Sequence, residues 1–530
     1  MPGRWPAVFE RRTRRQLDDA IAQFLPSRRW FAGKSRGIRR VVLDDAVRVA
    51  GPARREAGYL CLFRVEYREG EPDTYVVPMV ARTPLENGRA PGGATIAMLE
   101  TQEGRMALLD GADDPVLATA LLGMLRRGRR TGGLVGSLAT TRTRELRTIL
   151  ADGEGLEPQA LGAEQSNSSI AFGQRAVLKI FRRVEAGPNP EAEVTAALTR
   201  AGFTHVSPPA GTIEYHRRRR QPVTIALLQG FVTNEGDAWE YTMDEVGRYL
   251  EDVLARDDPS PPLVPDARLV DLAAQDVPAE VADSIGSYLE FARLLGERTA
   301  QMHLALAAAG DGGDFEPEAF TALQQRAQYQ SLRNLIRRVL AVARRAGDGV
   351  AELEWIAPGD QSALAQVRSL MDGLLQGSRI RAHGDYHLGQ VLWTGRDVVI
   401  IDFEGEPARP LAQRRLKRSP AYDVAGMLRS FHYAAYAALF RESGRDAAVG
   451  GPPEAWAKLW RAWVSAAFLR AYRAEVAPAG IMPEDDDELA RLIDLHLIEK
   501  AVYELGYELD NRPEWVVIPA RGLEELLETP

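Results

Sequence analysis

The first apolar positions of the chain recur every three or four residues. From Arg11 to Phe24 this spacing predicts an amphipathic helix ending near Leu25-Pro26, where proline removes a backbone donor. Two β-rich runs follow between Tyr59 and Val80, YLCLFRVEY and TYVVPMV. The turn residues EGEPD between them predict a hairpin. A helical segment spans Pro115 to Arg127, and GRRTGG (Gly128 to Gly133) marks a first boundary. From Leu134 to about Phe231 the pattern turns to strands: GSLATTRTREL, LEPQALGAEQ, SIAFGQRAVLKIF and QPVTIALLQGFV. One helix, EAEVTAALTRAGF, interrupts them, which predicts a small twisted sheet with one helix.

From Ala238 onward the chain reads as helices: YTMDEVGRYLEDVLARDD, SYLEFARLLGERTAQMHLALAAA, WAKLWRAWVSAAFLRAYRAEV and DDDELARLIDLHLIEKAVYELGYEL. DDPSPPLVPD (Asp257 to Asp266) and AGDGGDFEPE (Ala309 to Glu318) read as loops. The only strand-like island in this half is Ile380 to Phe403. Three parts are expected: residues 1–128, a β-rich part over 129–232, and a helical part over 233–530.

Composition narrows the classes. The chain has 530 residues, 45% of them apolar, enough for a sizeable core. A formal net charge of −8 argues against a nucleic-acid binder, which should carry a basic surplus. Cys61 is the only cysteine, so neither an intrachain disulfide nor a cysteine metal cluster can form. No apolar stretch follows the basic residues of MPGRWPAVFERRTRR, and no apolar run approaches 18 residues. Neither a secretory signal nor a membrane span is expected.

The candidate chemistry lies in HGDYHLGQVLWTGRDVVIIDFEGE (His383 to Glu406). Phosphoryl transfer to a hydroxyl needs the nucleotide phosphates held, their charge offset by metal and cations, and the acceptor oriented beside a carboxylate. Asp385 is followed five residues later by Gln390, and Asp402 follows twelve residues after Gln390 at the end of VVIID. The turn TGRD between VLW and VVII makes a hairpin, which brings Gln390 and Asp402 to one edge. A carboxylate and an amide oxygen are hard ligands suited to Mg²⁺. Asp385 is placed to orient the acceptor hydroxyl and take its proton. A lone H-x-D would more often only stabilise a loop; here the whole HGD-x-H-x-G-Q, hairpin and D-x-E arrangement is present together.

HGDYHLGQ with IDFEGEP resembles the aminoglycoside-phosphotransferase-like kinases. More narrowly, the chain is similar to bacterial maltokinases, including those fused to trehalose synthase, and to the related actinobacterial glucosamine kinases. The narrower likeness rests on RRWFAGKSR (Arg28 to Arg36), LGERTAQMHLAL, GEPARPLAQRRLKRSPAYDVAGMLRSF (Gly405 to Phe431) and YELGYELDNRPEWVVIP (Tyr503 to Pro519). It implies an α+β, bilobal, protein-kinase-like fold with an N-terminal cap, a β-rich nucleotide-binding part and a mainly helical C-terminal lobe.

The resemblance implies ATP and Mg²⁺ as cofactors, with Asp385 as base and Gln390 and Asp402 as metal ligands. Gln390 departs from the Asn common in the wider superfamily. Lys179, in the strand AVLKIF, matches the lysine that contacts nucleotide phosphates, with Glu193 of the next helix as its ion-pair partner. Ser166, Asn167 and Ser168 of EQSNSSI stand where protein kinases carry a glycine-rich loop; a plain polar turn is an equal reading. Gln229 and Phe231 would lie at the hinge touching adenine, or simply end a strand. His383 and Asp423 are expected to support the loop. His387, Glu404, Glu406, Arg409, Arg418, Tyr503, Glu504 and Trp515 are candidates for the sugar. Trp460, Trp463 and Phe468 read as core, His303 as packing or support, and HRRRR (His216 to Arg220) as a solvated hairpin tip.

The implied reaction is ATP-dependent phosphorylation of maltose at the anomeric hydroxyl. The alternatives are a hexosamine kinase making glucosamine 6-phosphate and a non-catalytic pseudokinase module. The partners implied are ATP and a mono- or disaccharide, a cytoplasmic place, and a trehalose synthase contacting the cap. RRWFAGKSR is expected to tie that cap to the kinase core.

Overall fold

The Arg14–Phe24 helix forms where the apolar spacing placed it and buries Leu17 and Ile21. In this computed structural model the described residues are 4–50, 57–83, 94–151, 156–162, 166–256, 263–310, 313–346, 356–443 and 451–528. Glu164 and Gln165 of the EQSNSSI turn, and residues 257–262 and 311–312 of the two expected loops, lie outside them. The chain divides into two units: 1–196 with 207–233 and 407–413, and 197–206 with 234–406 and 414–530.

The first unit contains two antiparallel sheets. One runs Ile38–Ala50, Ala57–Tyr67, Asp73–Arg82, Gly104–Asp110, Thr95–Thr101, and the short strand Arg183–Val184 pairs with Asp73–Arg82. The expected hairpin is its second and third strands. Ile38–Ala50 was not legible as a strand. Bulges at Ile38/Arg40 and Leu43/Asp45 interrupt its alternation, and it carries two adjacent aspartates. Asp45 is nevertheless fully buried. Its carboxylate accepts from the backbone N–H groups of Leu134 (2.6 Å) and Gly136 (2.6 Å) and from Tyr215 Oη (2.8 Å). Those bonds offset the desolvation that would otherwise expel it.

The second sheet runs Thr131–Gly132, Ser137–Arg142, Pro209–His216, Val223–Gly230, Ala176–Ile180, Ser168–Phe172, Pro158–Leu161. Pro209–His216 is a further strand the sequence pattern did not mark, and Glu145–Ile149 is helical where GSLATTRTREL read as one strand. The Pro115–Arg127 helix packs against both sheets: Leu117, Leu121 and Leu125 share one core with Leu60, Val76, Leu178 and Ile225. Its ends carry their own signals. Asp114 accepts from Leu117 N–H at 2.9 Å, Pro115 opens it, and left-handed Gly128 closes it.

The second unit is mainly helical. The Tyr288–Ala308 and Pro452–Val476 helices pack closely because Gly296 has no Cβ; one there would come within 2.3 Å of the Phe468 carbonyl oxygen. Trp460, Trp463 and Phe468 are buried, as their helical spacing suggested. The Ala421–Ser443 and Asp486–Asn511 helices pack together, and the strands Val391–Trp393 and Val398–Ile400 form the expected hairpin. Among the described residues no helix is long and apolar enough to cross a membrane.

Candidate active site

Asp385 sits on a loop pinned from beneath by one buried carboxylate. Asp423, at the start of the Ala421–Ser443 helix, accepts from the backbone N–H of His383 (2.7 Å) and of Gly384 (2.9 Å). His303, fully buried in the Tyr288–Ala308 helix, reaches the same carboxylate through Nε2 at 3.1 Å. A carboxylate only accepts, so His303 carries its proton there and takes the Tyr472 hydroxyl at Nδ1, 2.9 Å away. Burial alone would raise the Asp423 pKa, but His303 and the Gly384 N–H more than offset it and hold the carboxyl below its usual range.

His383 works the same way from above. The Asp385 N–H donates to His383 Nδ1 at 3.3 Å, which leaves Nε2–H to donate to the Ile401 carbonyl at 2.9 Å. One ring therefore joins the Asp385 loop to the strand leading into Asp402. Tyr386 is buried with its hydroxyl 2.8 Å from Thr299 Oγ1. Gly426 lets the helix approach: a Cβ there would stand 2.5 Å from the Tyr386 carbonyl oxygen.

The hairpin brings Gln390 and Asp402 together. Val391 pairs with Ile400, the Ile401 N–H donates to the Gln390 carbonyl at 3.0 Å, and Gln390 Nε2 lies 3.2 Å from Asp402 Oδ2. Asp402 has φ +61, a left-handed conformation that few residues other than glycine adopt. Such outliers persist where the surroundings over-determine them, often at functional sites. His387 Nδ1 accepts the Gly389 N–H at 3.1 Å and so shapes the turn that presents Gln390. Burial lowers the His387 pKa against the pull of Asp385, so its ring is neutral near pH 7.

A half-turn of the Gln390 amide places its oxygen beside the Asp402 carboxylate. Gln390, Asp402 and Glu404 then offer the all-oxygen donor set a magnesium ion prefers. Glu404 also faces Arg414, with Nη1 3.7 Å from Oε2.

Of the expected sugar residues, His387, Glu406 and Tyr503 gather around Asp385. Tyr503 is titrated upward by burial first, then by the charges of Glu406 and Asp385. Arg418 lies over the Tyr422 ring at 4.6 Å and 3.7 Å from Glu499 Oε1. Two further candidates each have an arginine neighbour. Glu504 binds Arg429, with Nε and Nη2 both at 2.8 Å from Oε2. Trp515 follows the Asp486–Asn511 helix and carries the Arg512 guanidinium 5.2 Å from its ring. Glu504 also lies within the field of Lys500. Arg409 belongs to the first unit. Lys500 and Tyr422 were missed. Lys500 is buried in the same helix, and its pKa is raised even though burial opposes this, through Tyr422, Asp385 and Glu406. The available signal was a lysine one helical turn before Tyr503–Glu504.

The first unit by itself carries the residues expected to meet nucleotide. Lys179 lies in register with Ser169 on one side and Leu227 on the other. Its Nζ is 3.0 Å from Glu191 Oε2, and both side chains are buried. Glu191 and the expected partner Glu193 both lie in the first turn of the Pro190–Arg200 helix, so that turn carries two carboxylates after the Lys179 strand. Ser166 is exposed, Asn167 buried and Ser168 half-buried. Arg182 orders the latter two: its N–H donates to Asn167 Oδ1 at 3.3 Å and its Nε to Ser168 Oγ at 2.8 Å. The same guanidinium grips Asp110 at 2.9 Å and lies 4.6 Å from the Trp30 ring of RRWFAGKSR. That motif therefore meets the segment following the Lys179 strand. Gln229 pairs with Val177, and the Phe231 N–H donates to the Arg175 carbonyl at 2.9 Å.

Residues 24–114 match the maltokinase N-terminal cap domain, and residues 270–460 match the phosphotransferase enzyme family. A glucosamine kinase from Streptacidiphilus jiangxiensis is 30% identical over 370 residues, spanning 69% of this chain and 72% of that protein. The chain belongs to the capped sugar-kinase branch of the phosphotransferase family. A glucosamine kinase from Mycolicibacterium smegmatis is 26% identical over 368 residues, 69% of this chain and 78% of the relative. A solved glucosamine kinase in complex with glucosamine, ADP and inorganic phosphate shares the fold, with a TM-score of 0.60 at 23% identity over 92% of this chain and 94% of that one. This kinase is accordingly an ATP-dependent phosphotransferase acting on a sugar hydroxyl, which disposes of the pseudokinase alternative.

Proposed function

We propose that this kinase transfers the γ-phosphate of ATP to the anomeric hydroxyl of maltose, giving maltose 1-phosphate. The observation that carries the chemistry is Asp385 on a loop held by Asp423 and His383, next to the Gln390–Asp402 pair. Asp385 orients the acceptor hydroxyl and takes its proton. Gln390 and Asp402, with Glu404, would hold magnesium, which supplies neutralisation of phosphate charge when bound. Lys179, held by Glu191, serves the nucleotide phosphates. The maltokinase-type cap over residues 24–114 supports maltose as acceptor. A cytoplasmic place and a trehalose synthase partner for the cap belong to the same reading.

A second reading has an observation of its own: both relatives are glucosamine kinases, which favours glucosamine 6-phosphate as product. The deciding experiment incubates the protein with Mg·ATP and maltose, glucose, glucosamine or aminoglycosides, then locates the phosphate by NMR. Phosphate on C1 of maltose is the expected result; turnover of glucosamine alone overturns the maltose reading.

The nucleotide assignment has a separate check. Lys179→Met should raise the KM for ATP roughly 10–100-fold, the loss of one charge-assisted contact, with the sugar KM little changed. Steady-state kinetics varying each substrate in turn measures this, and an unaltered ATP KM would remove Lys179 from the site.

A further inference from the structure

Lys500 stands at the centre of the Asp486–Asn511 helix and is 8% exposed. Its Nζ lies 4.2 Å from the centre of the Tyr422 ring. Its Cε passes 3.7 Å from where a Cβ on Gly426 would be, the same small space that admits the Tyr386 carbonyl next to Asp385. Among the described residues, no carboxylate oxygen comes within 4.0 Å of Nζ. That is unusual, because a buried ammonium is ordinarily paired. The carboxylates on its own helix are engaged by others: Glu499 by His496 at 3.1 Å and by Arg418, and Glu504 by Arg429. The charges that Lys500 feels across the gap are those of Asp385 and Glu406.

An ammonium with donors to spare, beside the carboxylate that receives the acceptor hydroxyl, is suited to ligand oxygens. Three rotatable N–H donors on a flexible stem match vicinal hydroxyls, which present several acceptors close together. The same charge repels a ligand cation at that position.

We propose that Lys500 is a specificity-determining residue: it donates to the sugar hydroxyls flanking the one phosphorylated, and its charge selects a neutral saccharide over one bearing an ammonium group. This rests on Asp385 as the acceptor's base. It deepens the maltose reading by naming the property, neutrality, that the site selects.

The test compares wild type, Lys500→Met, Lys500→Gln and Lys500→Arg on maltose, glucose, N-acetylglucosamine and glucosamine with saturating Mg·ATP. The wild type should favour the neutral sugars. Lys500→Met and Lys500→Gln should shift the neutral-to-glucosamine ratio of kcat/KM by about tenfold or more towards glucosamine, mainly through the neutral sugar's KM. Lys500→Arg should keep the neutral preference, and the ATP KM should stay within about twofold throughout. The ATP KM also certifies folding, so a variant that loses it is set aside and its neutral partner decides. An unchanged ratio in a variant with normal ATP KM overturns the proposal, as does a wild type that prefers glucosamine. Turnover of glucose but not maltose would overturn the maltose reading and leave the role of Lys500 supported.

Discussion

Asp385→Asn should lower kcat by ~10²–10⁴-fold, the usual worth of a positioned base, while ATP affinity stays within about twofold. The amide keeps the size of the side chain but cannot take the acceptor's proton. The loop itself should persist, because its anchors are elsewhere: the Asp385 backbone N–H on His383, and the His383 and Gly384 N–H groups on Asp423. A loss confined to kcat, with nucleotide binding measured directly by calorimetry, is therefore the expected pattern. Unchanged turnover would overturn the assignment of the base. Loss of nucleotide binding would instead point to a structural role.

The second large effect should come from Asp423, which touches no substrate. Asp423→Asn replaces a carboxylate that accepts from two backbone N–H groups and from His303 with an amide that can accept at one atom only. Losing hydrogen bonds to a fully buried charged group costs roughly 1.5–3 kcal/mol for each bond lost. The pH dependence carries the sign. The folded Asp423 carboxyl titrates below its usual range. Its contribution is thus fully present above the unfolded value of about 3.9 and is lost as pH falls through the lower, folded value. The stability deficit of Asp423→Asn should be greatest near neutral pH and shrink towards about pH 3. Denaturant titrations at a series of pH values measure it. A deficit independent of pH would mean that shape, and not charge, holds the loop. Turnover should fall as well, through displacement of Asp385.

Lys500 and Asp423 differ in a way that bears on how such sites are built. Asp423 is saturated by donors from its own unit, so its charge is spent on order. Lys500 has no carboxylate within salt-bridge distance, so its charge is available to a ligand. Burial is common to both, and the partner count separates a scaffold group from a recognition group.

What the sequence determined by itself was the local part. Asp385, Gln390 and Asp402 are related by a five-residue turn and a hairpin, both fixed by nearby residues, so their meeting could be read from spacing. The Pro115–Arg127 helix was legible for the same reason: its cap, its proline and its closing glycine are adjacent in the chain. The tertiary structure decided whatever depended on a distant partner. Nothing beside Asp45 in the chain marks it for burial; the N–H groups of residues 134–136 and the Tyr215 hydroxyl, distant in sequence, bury it. That Glu191 pairs with Lys179 depends on how a helix faces a strand, which packing sets and no spacing along the helix reveals. Glu504 and Trp515 read as sugar candidates in line with Tyr503; that Arg429 pairs with the one and Arg512 lies by the ring of the other came only with the structure. Lys500, one charged residue among many in its helix, acquires meaning only where Gly426 opens a space beneath the Asp385 loop. A side chain's chemistry is written in the sequence; which groups share its low-dielectric surroundings, and so what that chemistry can do, is settled by contacts across the whole chain.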